Sequence, residues 1–315
     1  RIREETPAVG RLALSVNFRS QPAVLDFVNT LFAPIFGDGY KTVIDPTNPD
    51  ILYSQYQYGG LARYDKTSGE RVFIAPHPAG GENDYKWNWN TPLLISPHDN
   101  ERIYYAAEKL FQSDDRGNTW RAISPDLTRQ LDRNELEVMG RVWSVDAIAK
   151  NDSTSMYGAA IGLAESPLVE GLIYVGTDDG VMSVTEDGGA SGDVVHMSQG
   201  GSFVSVVQAL DRWFACGISD ITPGELLRSA DGGETWQERA APARISGATG
   251  LAVSFLNPNT IYVAARGDLW RSDDGGATWQ VEKRHSVDEP LETAYYAWDV
   301  AASSRPPYQV YVAAG

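Results

Sequence analysis

The stretch SDDGGATW, residues 272–279, recurs almost letter for letter as SADGGETW at 229–236 and SDDRGNTW at 113–120. The shared pattern is Ser-x-Asp-x-Gly-x-Thr-Trp, and each fixed position suits a tight turn between two strands. The aspartate can accept hydrogen bonds from the turn's own amides, and the glycine supplies a positive φ that bulky residues avoid. Thr and Trp then start the outgoing strand, where β-branched and aromatic side chains fit a half-buried pleated surface. A turn this demanding, repeated, implies a repeated supersecondary unit.

The surrounding sequence gives that unit its length. An apolar-aromatic pair marks one strand of each unit at Tyr53, Tyr104, Tyr174, Phe214, Tyr262 and Tyr311, in steps of 51, 70, 40, 48 and 49 residues. Four-stranded propeller blades need about 40 to 50 residues each. From Gly250 the four strands read as LAVSF, IYVAA, LWRS and TWQVE, separated by NPNT, RGD and DDGGA turns. The long step of 70 is assigned to an insertion at about 124–143, in which Asp132 to Met139 reads as a short helix. The fold expected is therefore all-β, a β-propeller of four-stranded blades. It is read as incomplete, because QVYVAAG at 309–315 falls two strands into a sixth unit.

The eight-residue pattern resembles the Asp-box of the Asp-box (BNR repeat) β-propellers, over about residues 39–315. The resemblance implies that Ser113, Asp115, Gly117 and Trp120, Ser229, Asp231, Gly233 and Trp236, and Ser272, Asp274, Gly276 and Trp279 are structural, closing third-to-fourth-strand hairpins. A fourth copy, TEDGGASG at 185–192, keeps Asp187 and Gly189 but has Gly192 where Trp is expected; in the first unit, RYDKTSGERV, the box is almost gone. Residues 39–189, with IDPTNPDILYSQYQYGGLARYD, KWNWNTPLLISPHDNERIYYAAEKLFQSDDRGNTW and ESPLVEGLIYVGTDDG, resemble the bacterial glycosyl-hydrolase-like relatives of the sortilin propeller. That likeness implies export to the periplasm or the exterior and leaves the substrate open. Residues 190–315 are read as further Asp-box blades, the last one truncated.

Residues 1–38 read differently, as a short strand followed by a capped amphipathic helix in LALSVNFRSQPAVLDFVNTLFAPIF. Ser20 can cap the helix, and Val24, Leu25, Val28, Leu31 and Phe32 make its apolar face before Pro34 ends it. NFRS followed by LDFVN resembles the fourth motif of superfamily 1 nuclease-helicases, in which the arginine matching Arg19 reaches the ATP γ-phosphate. The chain has no G-x-x-x-x-G-K-[ST] phosphate loop, so the segment reads as a helicase remnant without ATPase function. A composite or misassembled gene is the expectation, with a join near 38 and a second near 190.

Bulk properties narrow the function. The formal charge of -16 would repel a nucleic-acid backbone, and no apolar run is long enough to span a membrane as a helix. The single cysteine, Cys216, cannot form an internal disulfide, and His77, His98, His196 and His285 lack metal-ligand spacing. No metal and no cofactor is expected. The aromatic segments YSQYQYGG and YKWNWN, read as strands, place Tyr56 with Tyr58 on one face and Trp87 with Trp89 on another, beside amides suited to a sugar ring or an extended peptide. The reading is a non-catalytic recognition module for glycan or peptide. The alternative is a glycoside hydrolase with two carboxylates at the propeller axis. The sequence does not set the oligomeric state.

Overall fold

The computed structural model describes residues 41–138, 140–148, 157–189, 193–197, 202–209, 212–218, 226–231, 233–239, 248–254, 256–265, 267–283, 297–302 and 310–314. The helix expected at residues 20–33, and Arg19, lie outside these residues. The chain divides into two compact units, of which one is residues 39–203 and the other includes residues 204–315.

Strands follow one another as antiparallel neighbours. The first sheet is β1 (Lys41–Ile44), β2 (Ile51–Tyr56), β3 (Gly60–Asp65) and β4 (Arg71–Phe73), and the second is β5 (Leu93–Ile95), β6 (Ile103–Ala106), β7 (Leu110–Ser113) and β8 (Arg121–Ala122). A two-stranded ribbon, β9 (Glu137–Val138) and β10 (Arg141–Val142), precedes the third sheet of β11 (Ala160–Glu165), β12 (Ile173–Thr177), β13 (Val181–Thr185) and β14 (Asp193–Met197). The fourth sheet is β15 (Ser202–Ala209), β16 (Arg212–Ile218), β17 (Leu226–Ser229) and β18 (Gln237–Arg239). The fifth is β19 (Ala248–Val253), β20 (Ile261–Ala265), β21 (Asp268–Ser272) and β22 (Gln280–Lys283), followed by the pair β23 (Ala297–Ala302) and β24 (Val310–Ala314). Strand order equals sequence order in each four-stranded sheet, so each is a meander.

Burial explains the composition of each strand. β6, β7 and β12 are buried along their whole length, which requires apolar side chains on both faces, whereas β8 and the first two residues of β18 are exposed and carry Arg, Gln and Glu. Each core lies between two sheets. Tyr53 and Leu61 of the first sheet pack with Leu93, Ile103 and Tyr105 of the second, and Tyr104, Ala106 and Leu110 of the second pack with Ala160, Ile173 and Val175 of the third. In the other unit, Leu226 joins Leu251, Ile261, Val263 and Trp270, while Ala252, Ala264 and Leu269 meet Val300. No sheet can bury its apolar surface alone, so each is stable only beside a neighbour.

The repeated eight residues close the turns between third and fourth strands. Ser272 Oγ donates to Asp274 Oδ1 at 2.8 Å and accepts from the Gly276 amide at 2.8 Å, and the Thr278 amide and hydroxyl both donate to the same carboxylate. The turns at Ser113 and Ser229 repeat these bonds, and at Thr185 a threonine hydroxyl takes the serine's place between Asp187 and the Gly189 amide. Hydrogen bonds from Thr235 and Thr278 hold the Asp231 and Asp274 carboxyls down at about 2. The glycine also carries a steric requirement. A Cβ at Gly117 would stand 2.4 Å from Ile74, one at Gly189 2.5 Å from the Ile123 carbonyl oxygen, and one at Gly276 2.9 Å from Leu226. In all three cases the obstacle belongs to the preceding sheet or its exit, so the turn closes a hairpin and seats one sheet against the next.

Two local expectations are corrected. Of the helix expected from Asp132 to Met139, the described residues 132–138 form none: Asp132 caps one 3-10 turn at Arg133–Glu135, and Glu137 then enters the ribbon β9–β10. The tryptophans that end the eight-residue pattern also precede the outgoing strands, which begin at Arg121, Gln237 and Gln280. The tryptophan acts as a bracket instead, with Trp236 and Trp279 Nε1 donating to the carbonyls of Gly233 and Gly276, each at 3.1 Å.

Ser272→Ala removes a hydroxyl that is 1 % exposed and leaves the buried Gly276 amide without its acceptor. The expected loss is about 1–3 kcal/mol, read as a lower urea midpoint at constant slope. An unchanged midpoint would remove the serine from the turn's energetics.

Candidate functional site

Strand direction sorts the loops of residues 39–203 into two ends. In a four-stranded meander the turns after the first and third strands share one end, and the turn after the second strand shares the other with the link to the next sheet. The eight-residue turns occupy the first end. The turns at 57–59, 107–109 and 178–180, with the link 74–92 and the start and end of the following link at 123 and 159, occupy the second.

At that second end the sequence QYGG is shaped by close packing. A Cβ at Gly59 would lie 2.3 Å from the Trp87 ring, and one at Gly60 would lie 2.2 Å from the Tyr56 ring. The chain turns through two positive φ values, 56° at Tyr58 and 78° at Gly59. For a tyrosine the left-handed conformation costs about 1–2 kcal/mol. The strand reading of this stretch is thereby corrected: β2 ends at Tyr56, and Tyr58 stands on the turn instead of following Tyr56 along one face. YKWNWN forms no strand either. Trp87 is half-buried, its ring 5.0 Å from Tyr105 and 5.9 Å from Phe111, whereas Trp89 meets Tyr58 edge to face at 5.1 Å and 81°. Tyr56 lies 6.4 Å from Phe73, also edge to face, and Arg71 covers Phe73 at 5.0 Å. Of the four aromatic candidates, Tyr58 is the most exposed, at 41 %.

Polar groups that the sequence did not single out hold this corner. Gln55 is fully buried, and its amide nitrogen donates to the carbonyls of Tyr56 and Trp89. The Asn88 amide nitrogen donates to Asp178 Oδ2 at 2.9 Å, while its oxygen accepts from the Asn90 amide at 2.9 Å. Asp178 Oδ1 accepts from the amides of Gly158 and Ala159, both at 2.9 Å. Asp179, 2 % exposed, accepts from Thr177 Oγ1 and from the Arg129 amide, and Glu108 accepts from the Lys86 amide at 2.6 Å. The available signal was the Asp178–Asp179 pair in GTDDG, whose turn is topologically equivalent to that of Tyr58.

Burial pushes the Asp178 carboxyl up to about 6, the charge of Asp179 adds to the rise, and the three donated hydrogen bonds do not offset it. Among the described residues no group of three or more His, Cys, Asp or Glu side chains is placed to hold a metal ion. No helix among them is long and apolar enough to cross a membrane. At the opposite end a concavity of about 320 Å³ is lined by charges of both signs, including Arg63, Asp65, Glu70, Glu101 and Arg116. Its arginines are engaged by the protein itself, Arg63 with the Arg116 carbonyl at 2.7 Å and Arg116 with Glu101 at 3.0 Å. The aromatic end is therefore the stronger candidate.

Comparison with solved structures gives the sheets their arrangement class. The GH74 xyloglucanase from Xanthomonas campestris superposes with a TM-score of 0.58 at 21 % identity, covering 84 % of this chain and 42 % of that one. The fold is a β-propeller. The GH74 enzyme from Niastella koreensis gives 0.57 at 16 % identity with the same coverage, and U3-55K gives 0.53 at 13 %, covering 82 % of this chain and 70 % of that one. The chain thus spans 42 % of the length of each of these two GH74 enzymes. No family model and no curated protein matches it.

The raised Asp178 carboxyl sets a sign for pH dependence. Between its ordinary value of 3.8 and about 6 the folded chain holds a proton that the unfolded chain has released. This group's contribution therefore falls as pH rises through that window and levels off above it. Carboxyl-carbon NMR of the folded chain should give Asp178 a midpoint near 6, and Asp178→Asn should remove that part of the pH dependence. A midpoint at or below 4, roughly that of a free carboxyl, would contradict the assigned burial effect.

Proposed function

We propose that the chain is a non-catalytic recognition module from an exported Asp-box propeller protein, and that it binds a glycan or an extended peptide at the loop end of residues 39–203. The observation that carries this reading is the Tyr58–Trp89 corner, in which an exposed Tyr58, held in a left-handed turn beside the packing of Trp87 on Gly59, meets a half-buried Trp89. Proteins keep such strained positions where the surroundings over-determine them, commonly at ligand sites. One of the solved propellers named above is a xyloglucanase, which supports recognition of a sugar.

Glycoside hydrolysis is the second reading, favoured by Asp178, whose raised carboxyl has the character of a general acid. Against it, the Asp178 oxygens accept hydrogen bonds from Asn88, Gly158 and Ala159, and Asp179 beside it is nearly inaccessible. Neither matches an acid paired with a second carboxylate across a sugar ring. An ATP-dependent role for the segment around Arg19 has no support, because a phosphate loop is missing from the sequence.

The test is binding of the 315-residue chain to glycan and peptide arrays, alongside turnover of aryl glycosides. Binding that Tyr58→Ala weakens about tenfold or more, a loss of about 1.4 kcal/mol, is the expected result, without glycoside turnover. Turnover abolished by Asp178→Asn would replace recognition with hydrolysis.

A further inference from the structure

The hydrogen bond from Asn88 to Asp178 joins segments 90 residues apart, the approach to the second sheet and the turn between β12 and β13 of the third. Its direction is fixed from the Asn88 side. The Asn88 side-chain oxygen accepts from the Asn90 amide at 2.9 Å, and the Asn88 backbone carbonyl accepts from Thr91 Oγ1 at 2.9 Å. Thr91 is only 1 % exposed, so the short turn 88–91 is anchored at its β5 end. Rotating the Asn88 amide would put its nitrogen against the Asn90 N–H, two donors face to face. Asn88 can therefore donate to Asp178 and cannot accept from it.

At Asp178 that fixed direction meets a titration. As a carboxylate the side chain offers only acceptors, to Asn88 through Oδ2 and to the Gly158 and Ala159 amides through Oδ1. As an acid it carries a proton among three donors and loses the charge that strengthened their bonds. The bond given up most readily is the side-chain one, because the two amides lead directly into β11. Burial, with the Asp179 charge beside it, places the change near pH 6. Among the described residues, the other titratable and charged groups around the pair are Asp179 on the same turn, Arg129, which donates to Asp179 from its amide and its side chain, and the half-buried Tyr157. Arginine stays charged, and burial pushes the Tyr157 hydroxyl further up, so neither changes near pH 6.

We propose that the Asn88–Asp178 bond is a proton-operated latch on the loop end of residues 39–203: closed while Asp178 is a carboxylate, it loosens the 88–91 turn when Asp178 takes up a proton. That turn carries Trp89, so acid loosens a segment of the candidate site. The effect is local. Folding favours the protonated form of this buried group, and the turn therefore loosens while the group's contribution to global stability is at its largest. The latch needs no ligand and stands apart from the recognition reading.

The experiment is NMR and amide hydrogen exchange of the 315-residue chain at about pH 5 and about pH 7.5, on either side of the change. The Asn88 side-chain NH2 signals should shift with a midpoint near 6, shared with the Asp178 carboxyl carbon. Once intrinsic rates are divided out, the Asn90 amide should exchange about tenfold faster at the lower pH. The Gly117 amide, bonded to Ser113 Oγ at the opposite end, should not change. Asp178→Asn keeps an acceptor for the two amides but turns an NH2 toward Asn88, and it should hold the turn open at both pH values. Asn88→Ala should abolish the pH dependence of the turn while Asp178 still titrates, its midpoint raised because a bond favouring the charged form is gone. An Asp178 carboxyl that titrates near 6 while Asn88 and Asn90 stay unchanged would overturn the latch and leave the burial effect standing. A carboxyl that does not titrate in this range would overturn both. A pH response of the turn that survives Asp178→Asn or, should that variant not fold, Asn88→Ala would assign the response to another group and overturn the latch.

Discussion

The bond on which the rest of the structure depends is the short one between a serine hydroxyl and an aspartate two residues later. Its donation to the carboxylate turns the hydroxyl's lone pairs toward the glycine amide four residues on, and the carboxylate gathers the threonine amide and hydroxyl. One buried oxygen thus ties both arms of the turn together. The turn can be so compact only because its glycine lacks a Cβ, and the space left is filled by Ile74, Ile123 or Leu226 of the preceding repeat. A local polar network and a long-range apolar contact are in this way the same feature. Sheets that cannot bury their faces singly are thereby held at a fixed approach, and the cores at Tyr105, Ile173 and Ile261 lie between them.

The candidate site follows from that arrangement by strand direction alone. Because the serine turns occupy one end of the sheets, the turns at Tyr58, Glu108 and Asp178 are brought to the other. The site is built from turns whose residues are free to differ between repeats. QYGG in the first repeat places an aromatic where AEK and DDG stand in the second and third. Tyr58 bears a backbone strain that the packing of Trp87 and Tyr56 over two glycines makes unavoidable. Stability is concentrated at the conserved-geometry end and chemical variety at the other.

The fold class was legible in the sequence because the turn residues carry their own mechanism. Ser, Asp, Gly and Thr at fixed offsets specify a hydrogen-bond network regardless of what surrounds them, and the spacing of Tyr53, Tyr104 and Tyr174 marks the second strand of three sheets in a row. What was not legible depended on tertiary packing. Alternation extended the strand through Tyr58, but the glycines after it are occupied from the far side by Trp87 and Tyr56, and the chain must turn there. Alternation likewise paired Trp87 with Trp89, although one ring packs on Tyr105 and the other on Tyr58. The helical pattern at 132–139 was cut to one turn because Glu137 and Val138 pair with Val142 and Arg141. Gln55 gave no signal, and the Asp178–Asp179 pair signalled only an acidic turn, since their importance lies in partners 34 and 90 residues away along the chain, through Trp89 and Asn88.

The central claim is that the serine turn couples one sheet to the next, and amide hydrogen exchange tests it most directly. In the parent chain the amides of Gly117, Gly233 and Gly276 should be among the protected turn amides, each bonded to a buried serine hydroxyl. In Ser272→Ala, faster exchange should spread from residues 272–279 into β17 and β18, whose Leu226 and Arg239 lie closest to Gly276. Faster exchange confined to residues 272–279, with β17 and β18 unchanged, would show that the turn closes its own hairpin only and would contradict the account.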